Sequence, residues 1–153
     1  MAHPPPVDPP ESALGLAAAL RARKLSAVEL LERCIAAIDK DNPHLWAFVD
    51  YDAKRARRRA EKTDRALATS GPKPVFLGIP TGIKDHENAR MRRTRVGSRA
   101  FSWMMSPFDG FVASRCRAAG MTTVGKLATS ELTILPFIDV DLHPPTRNPR
   151  ARD

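Results

Sequence analysis

Residues 78–98, GIPTGIKDHENARMRRTRVGS, constrain this chain more than any other stretch. A short apolar run, interrupted by glycine and proline, leads into Lys84 and Asp85, and an arginine-rich loop follows. The run is too short and too interrupted for a helix, so the pattern predicts a β-strand over residues 76–83 that ends at Lys84. The chemistry of the chain is therefore sought first around this lysine.

Side chains of a β-strand alternate between its two faces, and this alternation separates Lys84 from Asp85. Two isoleucines mark the face of Asp85 as the core side. The face of Lys84 carries little bulk, because its neighbours there are Pro80 and Gly82. We therefore expect open space around the amine, with Asp85 pointing away from it.

A lysine that acts as a general base must be uncharged, which requires its pKa to fall by roughly 3 units from about 10.4. Burial and nearby positive charge both lower a lysine pKa. Four arginines follow closely in the sequence: Arg90, Arg92, Arg93 and Arg95. A lysine at a strand end is more often a solvated charge, so from these residues alone both interpretations of Lys84 stand.

The chain resembles the amidase signature family over residues 14–153. Three motifs occur in the family's order and at its spacing. The first comprises Gly78, Ile79, Pro80, Ile83, Lys84, Asp85, Thr94, Gly97 and Ser98. The second comprises Asp109, Val112, Arg115, Arg117, Ala118, Ala119, Gly120, Gly125, Lys126, Ser130 and Glu131, and the third Thr146, Arg147, Asn148 and Pro149.

The resemblance implies an α/β fold, the N-terminal part of the amidase-signature fold, with a mixed sheet flanked by helices. It also implies an amidase-type hydrolase that cleaves carboxamide C–N bonds through a Ser–cis-Ser–Lys triad and an acyl-serine intermediate. Backbone N–H groups would stabilise the oxyanion. By position, Lys84 is the general base and the one catalytic residue that the resemblance places in this chain.

The resemblance also implies that the other two triad members lie beyond Asp153. The family's G-G-S-S-G-G motif, which supplies the cis-serine, is expected a few residues after Pro149. We therefore expect residues 12–153 to form an incomplete, truncated amidase-signature domain that is inactive alone. Serines such as Ser98 and Ser130 lie outside the nucleophile motifs and are not substitutes.

The loop after Lys84 departs from the family pattern. The family usually has glycine at the position of Met91, proline at Arg93, a second threonine at Arg95, and apolar residues at Glu87 and Ala89. Glycine usually serves a turn with unusual backbone angles, which a methionine adopts only at a cost. We expect an atypical loop here.

The charge distribution admits a second class of function. The net charge is +8, and residues 52–65 and 84–99 each contribute +4. Such clusters could bind nucleic acid. No aromatic residues interleave them for base stacking, so solvated surfaces are favoured and a nucleic-acid partner is not expected.

Cofactor and metal sites are not predicted. Cys34 and Cys116 lack metal-ligand spacing and indicate small buried residues in a reducing compartment. The four histidines are scattered, and His86 is notable only for lying near Lys84. Lys126 follows a predicted strand but lacks the glycine-rich loop of a P-loop.

Other expectations concern location and partners. Residues 1–11 are proline-rich and predict a disordered lead-in. The sequence shows no secretory signal and no membrane-spanning run, so we expect a cytoplasmic protein without a membrane partner. The expected ligand is a small-molecule amide, with either a homo-oligomer or a missing C-terminal portion as protein partner. Alternatives are the A subunit of a Glu-tRNA(Gln) amidotransferase, a basic nucleic-acid-binding module, or a truncated product without function.

Periodicity predicts the remaining elements. Helices are expected over residues 12–23, from a Ser26–Glu29 capping box to Asn42-Pro43, and over 52–69. Residues 45–49 are expected as a short strand or extended segment. Further on, residues 101–105 are expected in the core, with the wall of a substrate channel as the alternative. Asp109 is expected as the N-cap of a helix that has Val112, Cys116 and Ala119 on one face and Gly120 as its C-cap. A buried strand over 121–124 and a short helix from Ser130 should follow.

Overall fold

The computed structural model describes residues 12–150, so the predicted lead-in over residues 1–11 and the last three residues lie outside the described part. The α-helices there are α1 (Ala13–Arg21), α2 (Ala27–Leu45), α3 (Ala53–Leu67) and α4 (Phe111–Ala118). The strands are β1 (Phe48–Tyr51), β2 (Pro80–Lys84), β3 (Arg92–Arg93), β4 (Met105–Ser106) and β5 (Thr122–Leu127). None of the described helices is both long and apolar enough to cross a bilayer.

A three-stranded mixed sheet carries the candidate site. Its order is β1-β5-β2, with β2 parallel to β5 and β1 antiparallel to it. Helices α1–α3 contribute most of the main core, which includes Val124 of the central strand. A smaller cluster joins Ile83, Ala89 and Ala113 of α4. The predicted α/β fold with a mixed sheet and flanking helices is confirmed.

The capping box at the start of α2 is confirmed. The Ser26 hydroxyl accepts the Glu29 N–H at 3.0 Å, and the Glu29 carboxylate accepts the Ser26 N–H at 2.8 Å. The Asp64 carboxylate of α3 also accepts the N–H groups of Ala27 and Val28, at 2.7 and 3.2 Å. This second cap joins two helices that are distant in sequence, so local patterns did not reveal it.

The predicted end of α2 at Asn42-Pro43 is wrong, because the helix continues to Leu45 with Pro43 inside its last turn. A proline near a helix end removes one N–H donor, a smaller loss than in a helix interior. Trp46 closes the helix in a left-handed conformation at φ +51°, and its N–H donates to the Asn42 carbonyl at 2.9 Å.

Two strands are shorter or later than predicted. The strand over 45–49 forms instead at Phe48–Tyr51, because α2 occupies the earlier residues. The strand before Lys84 starts only at Pro80. Residues 75–78 form a turn instead, with Gly78 at φ +92°.

The expected packing around α4 differs from the structure. Gly110, not Asp109, is the N-cap and Ala119, not Gly120, is the C-cap. Asp109 does not cap the helix, because its carboxylate accepts two hydrogen bonds from the Arg117 guanidinium. Val112 is exposed, and the buried residue of this helix is Ala113.

The expected core segment at residues 101–105 is also wrong for the described chain, because Trp103 is 78% exposed and Met105 52% exposed. The Trp103 indole N–H finds its acceptor locally, on the Ala100 carbonyl at 3.0 Å.

Candidate active site

Lys84 lies at the carboxyl end of β2, paired in register with Leu127 of the parallel strand β5. Its Nζ donates to the Ala128 carbonyl at 2.9 Å, across the end of the sheet. The residue is exposed, whereas its acceptor Ala128 is buried. Among the described residues, this one bond anchors the amine.

The expected open space beside Lys84 is partly filled. A Cβ on Gly82 would lie 2.7 Å from the Leu127 side chain, so glycine is needed there for close packing of β2 on β5. Leu127 therefore occupies the space that the small side chains leave. The sequence identified the small residues correctly but not the side chain that packs over them.

The arginines that follow Lys84 are directed to other parts of the sheet. Arg92 is buried and donates to the Val124 carbonyl at 3.1 Å. Arg95 donates to the Val49 carbonyl at 3.0 Å and lies 3.7 Å from the Asp50 carboxylate. These two arginines therefore hold strand backbones together.

Lys126, on the next strand, is the buried lysine of the site, with 0% of its surface exposed. Its Nζ donates to the carbonyls of Glu87 and Arg93 at 2.7 and 3.1 Å, and to the Thr94 hydroxyl at 3.3 Å. The same nitrogen lies 3.3 Å from Oδ1 of Asp85. One ammonium thus fixes both ends of the loop that follows Lys84.

Asp85 is the buried counter-ion of Lys126, with 2% exposure. Its Oδ2 accepts the Arg95 N–H at 3.3 Å, and its own N–H donates to the Leu127 carbonyl at 2.8 Å. Burial raises the pKa of Asp85, although Lys126 and Arg95 oppose the rise. Burial likewise lowers the pKa of Lys126, against the attraction of Asp85. The prediction that Asp85 points away from Lys84 agrees with these contacts.

The loop after Lys84 contains left-handed residues, and one of them is Met91, at a position where the family usually has glycine. Met91 has φ +58° and Val96 φ +52°, and neither is glycine. Gly97 has φ +69°, and a Cβ there would lie 2.6 Å from the Ser130 carbonyl. Met91 thus occupies a conformation that glycine adopts more easily.

Buried hydroxyl groups follow the Ala128 carbonyl that binds Lys84. Thr129 and Ser130 are 1% and 4% exposed. Oγ1 of Thr129 has no hydrogen-bond partner within residues 12–150. Sequence reasoning did not select Thr129, and an isolated threonine gave no signal that could have done so.

Metal ligands do not gather anywhere in the described residues: no group of three or more His, Cys, Asp or Glu side chains could hold an ion. His86 lies near Lys84 in sequence, and its Nε2 is 3.5 Å from the Glu87 carboxylate. The site thus combines the exposed amine of Lys84 with the buried ion pair of Asp85 and Lys126.

Comparison with known proteins supports the family resemblance. The profile of the Amidase family matches residues 29–153. The A subunit of the glutamyl-tRNA(Gln) amidotransferase from Synechococcus sp. (strain WH7803) is 33% identical over 126 residues, which is 82% of this chain and 26% of that protein.

Two solved structures show the same fold. A 6-aminohexanoate cyclic dimer hydrolase is 27% identical, with a TM-score of 0.79 over 94% of this chain and 28% of that one. A bacterial aryl acylamidase of the amidase signature family has 22% identity and a TM-score of 0.85 over 90% of this chain and 29% of that one.

The chain spans about a quarter of the length of these proteins. The matched segment contains Lys84, Asp85 and Lys126. The chain belongs to the amidase signature family.

Proposed function

We propose that these residues serve an amidase-type hydrolase that cleaves carboxamide C–N bonds, with Lys84 as general base. One observation supports this role most directly. Lys84 lies at the carboxyl end of a strand parallel to its neighbour, and the one hydrogen bond of its amine within the described residues is to the Ala128 carbonyl. In its neutral form, an amine so placed would keep one N–H and its lone pair for a substrate-side hydroxyl.

The proposed mechanism uses Lys84 to remove a proton from a serine hydroxyl. That serine would relay a proton from a second, nucleophilic serine, which attacks the amide carbonyl and forms an acyl-enzyme. Family resemblance assigns neither serine to residues 1–153. We therefore expect the 153-residue chain alone to hydrolyse no amide, and a small-molecule amide to be the substrate of the complete catalytic unit.

A chimera tests the role of Lys84. Residues 14–153 would replace the matching segment of the 6-aminohexanoate cyclic dimer hydrolase, and hydrolysis of the cyclic dimer would be measured. Lys84→Ala is expected to lower kcat/KM by about 10²-fold or more, which is typical of a lost general base. Lys40→Ala, at an exposed lysine of α2, is the control and is expected to have no effect. Full activity of a folded Lys84→Ala chimera would contradict the proposal.

The isolated chain provides a second test. No turnover of acetamide or an arylamide is expected from the purified 153 residues. Turnover that disappears in Lys84→Ala would overturn the expected inactivity.

A second candidate function is that of the A subunit of an amidotransferase, because relatives such as the Synechococcus protein carry that name. In this role the amide nitrogen would pass to a Glu-tRNA(Gln) acceptor, and other subunits would be partners. The candidates separate by assay: glutamine-dependent amidation of Glu-tRNA(Gln) with partner subunits indicates the amidotransferase, and hydrolysis without partners indicates the amidase.

A further inference from the structure

A groove beside α3 gathers positive charge away from Lys84. It has a volume of 650 Å³ and lies between α3, the turn before β2 and the end of α4. Five cationic side chains line it: Arg55, Arg58, Arg59, Lys62 and Arg117. We call these five residues and the space between them the arginine groove. The other lining residues are uncharged, small or apolar.

Two of the five cations are fixed by the fold. Arg55 donates to the carbonyls of Met91 and Arg90 at 3.1 and 3.3 Å. Arg117 binds the Asp109 carboxylate through two bonds of 2.5 and 2.9 Å. The walls of the arginine groove are therefore held in place before any ligand arrives, which reduces the entropy lost on binding.

The other three cations have no acceptor among residues 12–150. Arg58 and Lys62 are exposed, where water solvates them. Arg59 is half-buried and extends into a second, narrower space that Arg55, Arg90, Arg92 and Arg117 also line. A half-buried guanidinium among other guanidinium groups is costly unless an anion accompanies it.

The charges around Arg59 also favour an accompanying anion. Burial lowers the pKa of Arg59, and the positive charges of Arg117 and Arg55 lower it further. Asp109 acts in the opposite direction, but Arg117 already binds both of its oxygens. An arginine keeps its proton at neutral pH, so the excess of positive over negative charge around Arg59 is not neutralised within the described residues.

We propose that the arginine groove binds a compact, multiply charged phosphoanion, such as a di- or triphosphate group. Guanidinium forks match phosphate oxygens in pairs, and several of them converge here. No aromatic side chain lines the groove, so stacking of nucleobases is not provided. A free phosphoanion is therefore favoured over a nucleic-acid strand. The inference uses none of the contacts of Lys84, so it stands apart from the proposed hydrolase.

Calorimetric titration of the purified chain with tripolyphosphate at low salt tests the proposal. We expect saturable binding that Arg59→Gln weakens about tenfold or more, because charge-assisted bonds at the enclosed position are lost. Arg59→Lys keeps the charge without the fork and should retain part of the affinity. Arg33→Gln, at an exposed arginine of α2 outside the groove, is the matched control and should leave binding unchanged.

The shift of Tm on adding tripolyphosphate is a second readout of binding, and it is measured for each variant against that variant without ligand. Tripolyphosphate should raise the Tm of the wild-type and Arg33→Gln chains more than that of Arg59→Gln. Equal loss of binding in Arg33→Gln and Arg59→Gln would overturn the proposal, since it would indicate general attraction to a basic surface. Retention of single-stranded oligouridylate that tripolyphosphate does not displace would also overturn it, in favour of a nucleic-acid site.

Discussion

Lys84 and Lys126 stand near the ends of two neighbouring parallel strands, and their surroundings are opposite. Lys84 is exposed and donates to one carbonyl. Lys126 is completely buried, donates to three oxygens and pairs with Asp85. The same residue type thus meets two different environments, on adjacent strands of one sheet.

The difference indicates a division of roles. Lys126 cannot reach a substrate while its ammonium is enclosed by backbone carbonyls and a carboxylate, so its contribution is to hold the loop that follows Lys84. Lys84 has few bonds to lose, so a change there should cost little stability, and its proposed role is that of general base. Both lysines belong to the family motifs, and only the contacts separate their roles.

The largest expected effect is the difference in the free energy of unfolding between a Lys126 variant and a Lys84 variant. Lys126→Met leaves the Asp85 carboxylate buried without its cation, which should lower the free energy of unfolding by about 3–5 kcal/mol. Lys84→Met removes one hydrogen bond at an exposed residue and should cost about 1 kcal/mol or less. Urea unfolding followed by circular dichroism measures both.

A double-mutant cycle serves as the control for that comparison. Asp85→Asn should cost less in the Lys126→Met background than in the wild-type chain, because the carboxylate has already lost its cation there and its removal leaves no unpaired ammonium. Equal costs in both backgrounds would show that the two residues do not interact, and the proposed role of the pair would be wrong.

A second prediction concerns alkaline pH. Because burial lowers the pKa of Lys126, the unfolded chain binds this proton more tightly than the folded chain between the lowered value and about 10.4. The unfolding free energy contributed by Lys126 should therefore rise with pH across that window. The measurement is the wild-type free energy of unfolding minus that of Lys126→Met, from pH 7 to pH 10. A difference that falls with pH would contradict the assigned direction.

The smallest expected effect concerns Met91, within the loop that Lys126 fixes. A glycine accepts φ +58° without the steric cost that methionine bears, so Met91→Gly should stabilise the chain by about 0.5–1 kcal/mol. The gain should shrink in Lys126→Met, where the loop is free to relax. Thermal unfolding of the wild-type chain, Met91→Gly, Lys126→Met and the double variant measures the gain and its loss. Met105→Gly, at an exposed methionine of β4, is a control that we expect to be less stable than the wild-type chain. Destabilisation by Met91→Gly would show that the loop is not strained there.

Much of this fold followed from local patterns. The Ser26 capping box, the strand that ends at Lys84 and the mixed sheet depend on neighbours in sequence or on family motifs, and the structure contains them. The alternation of side chains also separated Lys84 from Asp85 correctly.

What the sequence did not reveal depends on contacts between distant residues. The burial of Lys126 depends on the carbonyls of Glu87 and Arg93, more than thirty residues earlier. Trp103 lies in an apolar stretch that suggested core packing, and no periodicity distinguished an exposed tryptophan from a buried one. Helix α2 continues past Pro43 to Leu45 and ends with Trp46 in a left-handed conformation, which no helix propensity predicted.

Lysine acylation read out by mass spectrometry tests the division between the two lysines most directly. The native chain would be treated with a small acylating reagent, and modification rates at Lys84, Lys126 and the exposed Lys40 would be compared with those in urea. We expect Lys84 to react in the native chain at a rate close to that of Lys40, and Lys126 to react only after unfolding. Native-state modification of Lys126 as fast as that of Lys84 would contradict the account.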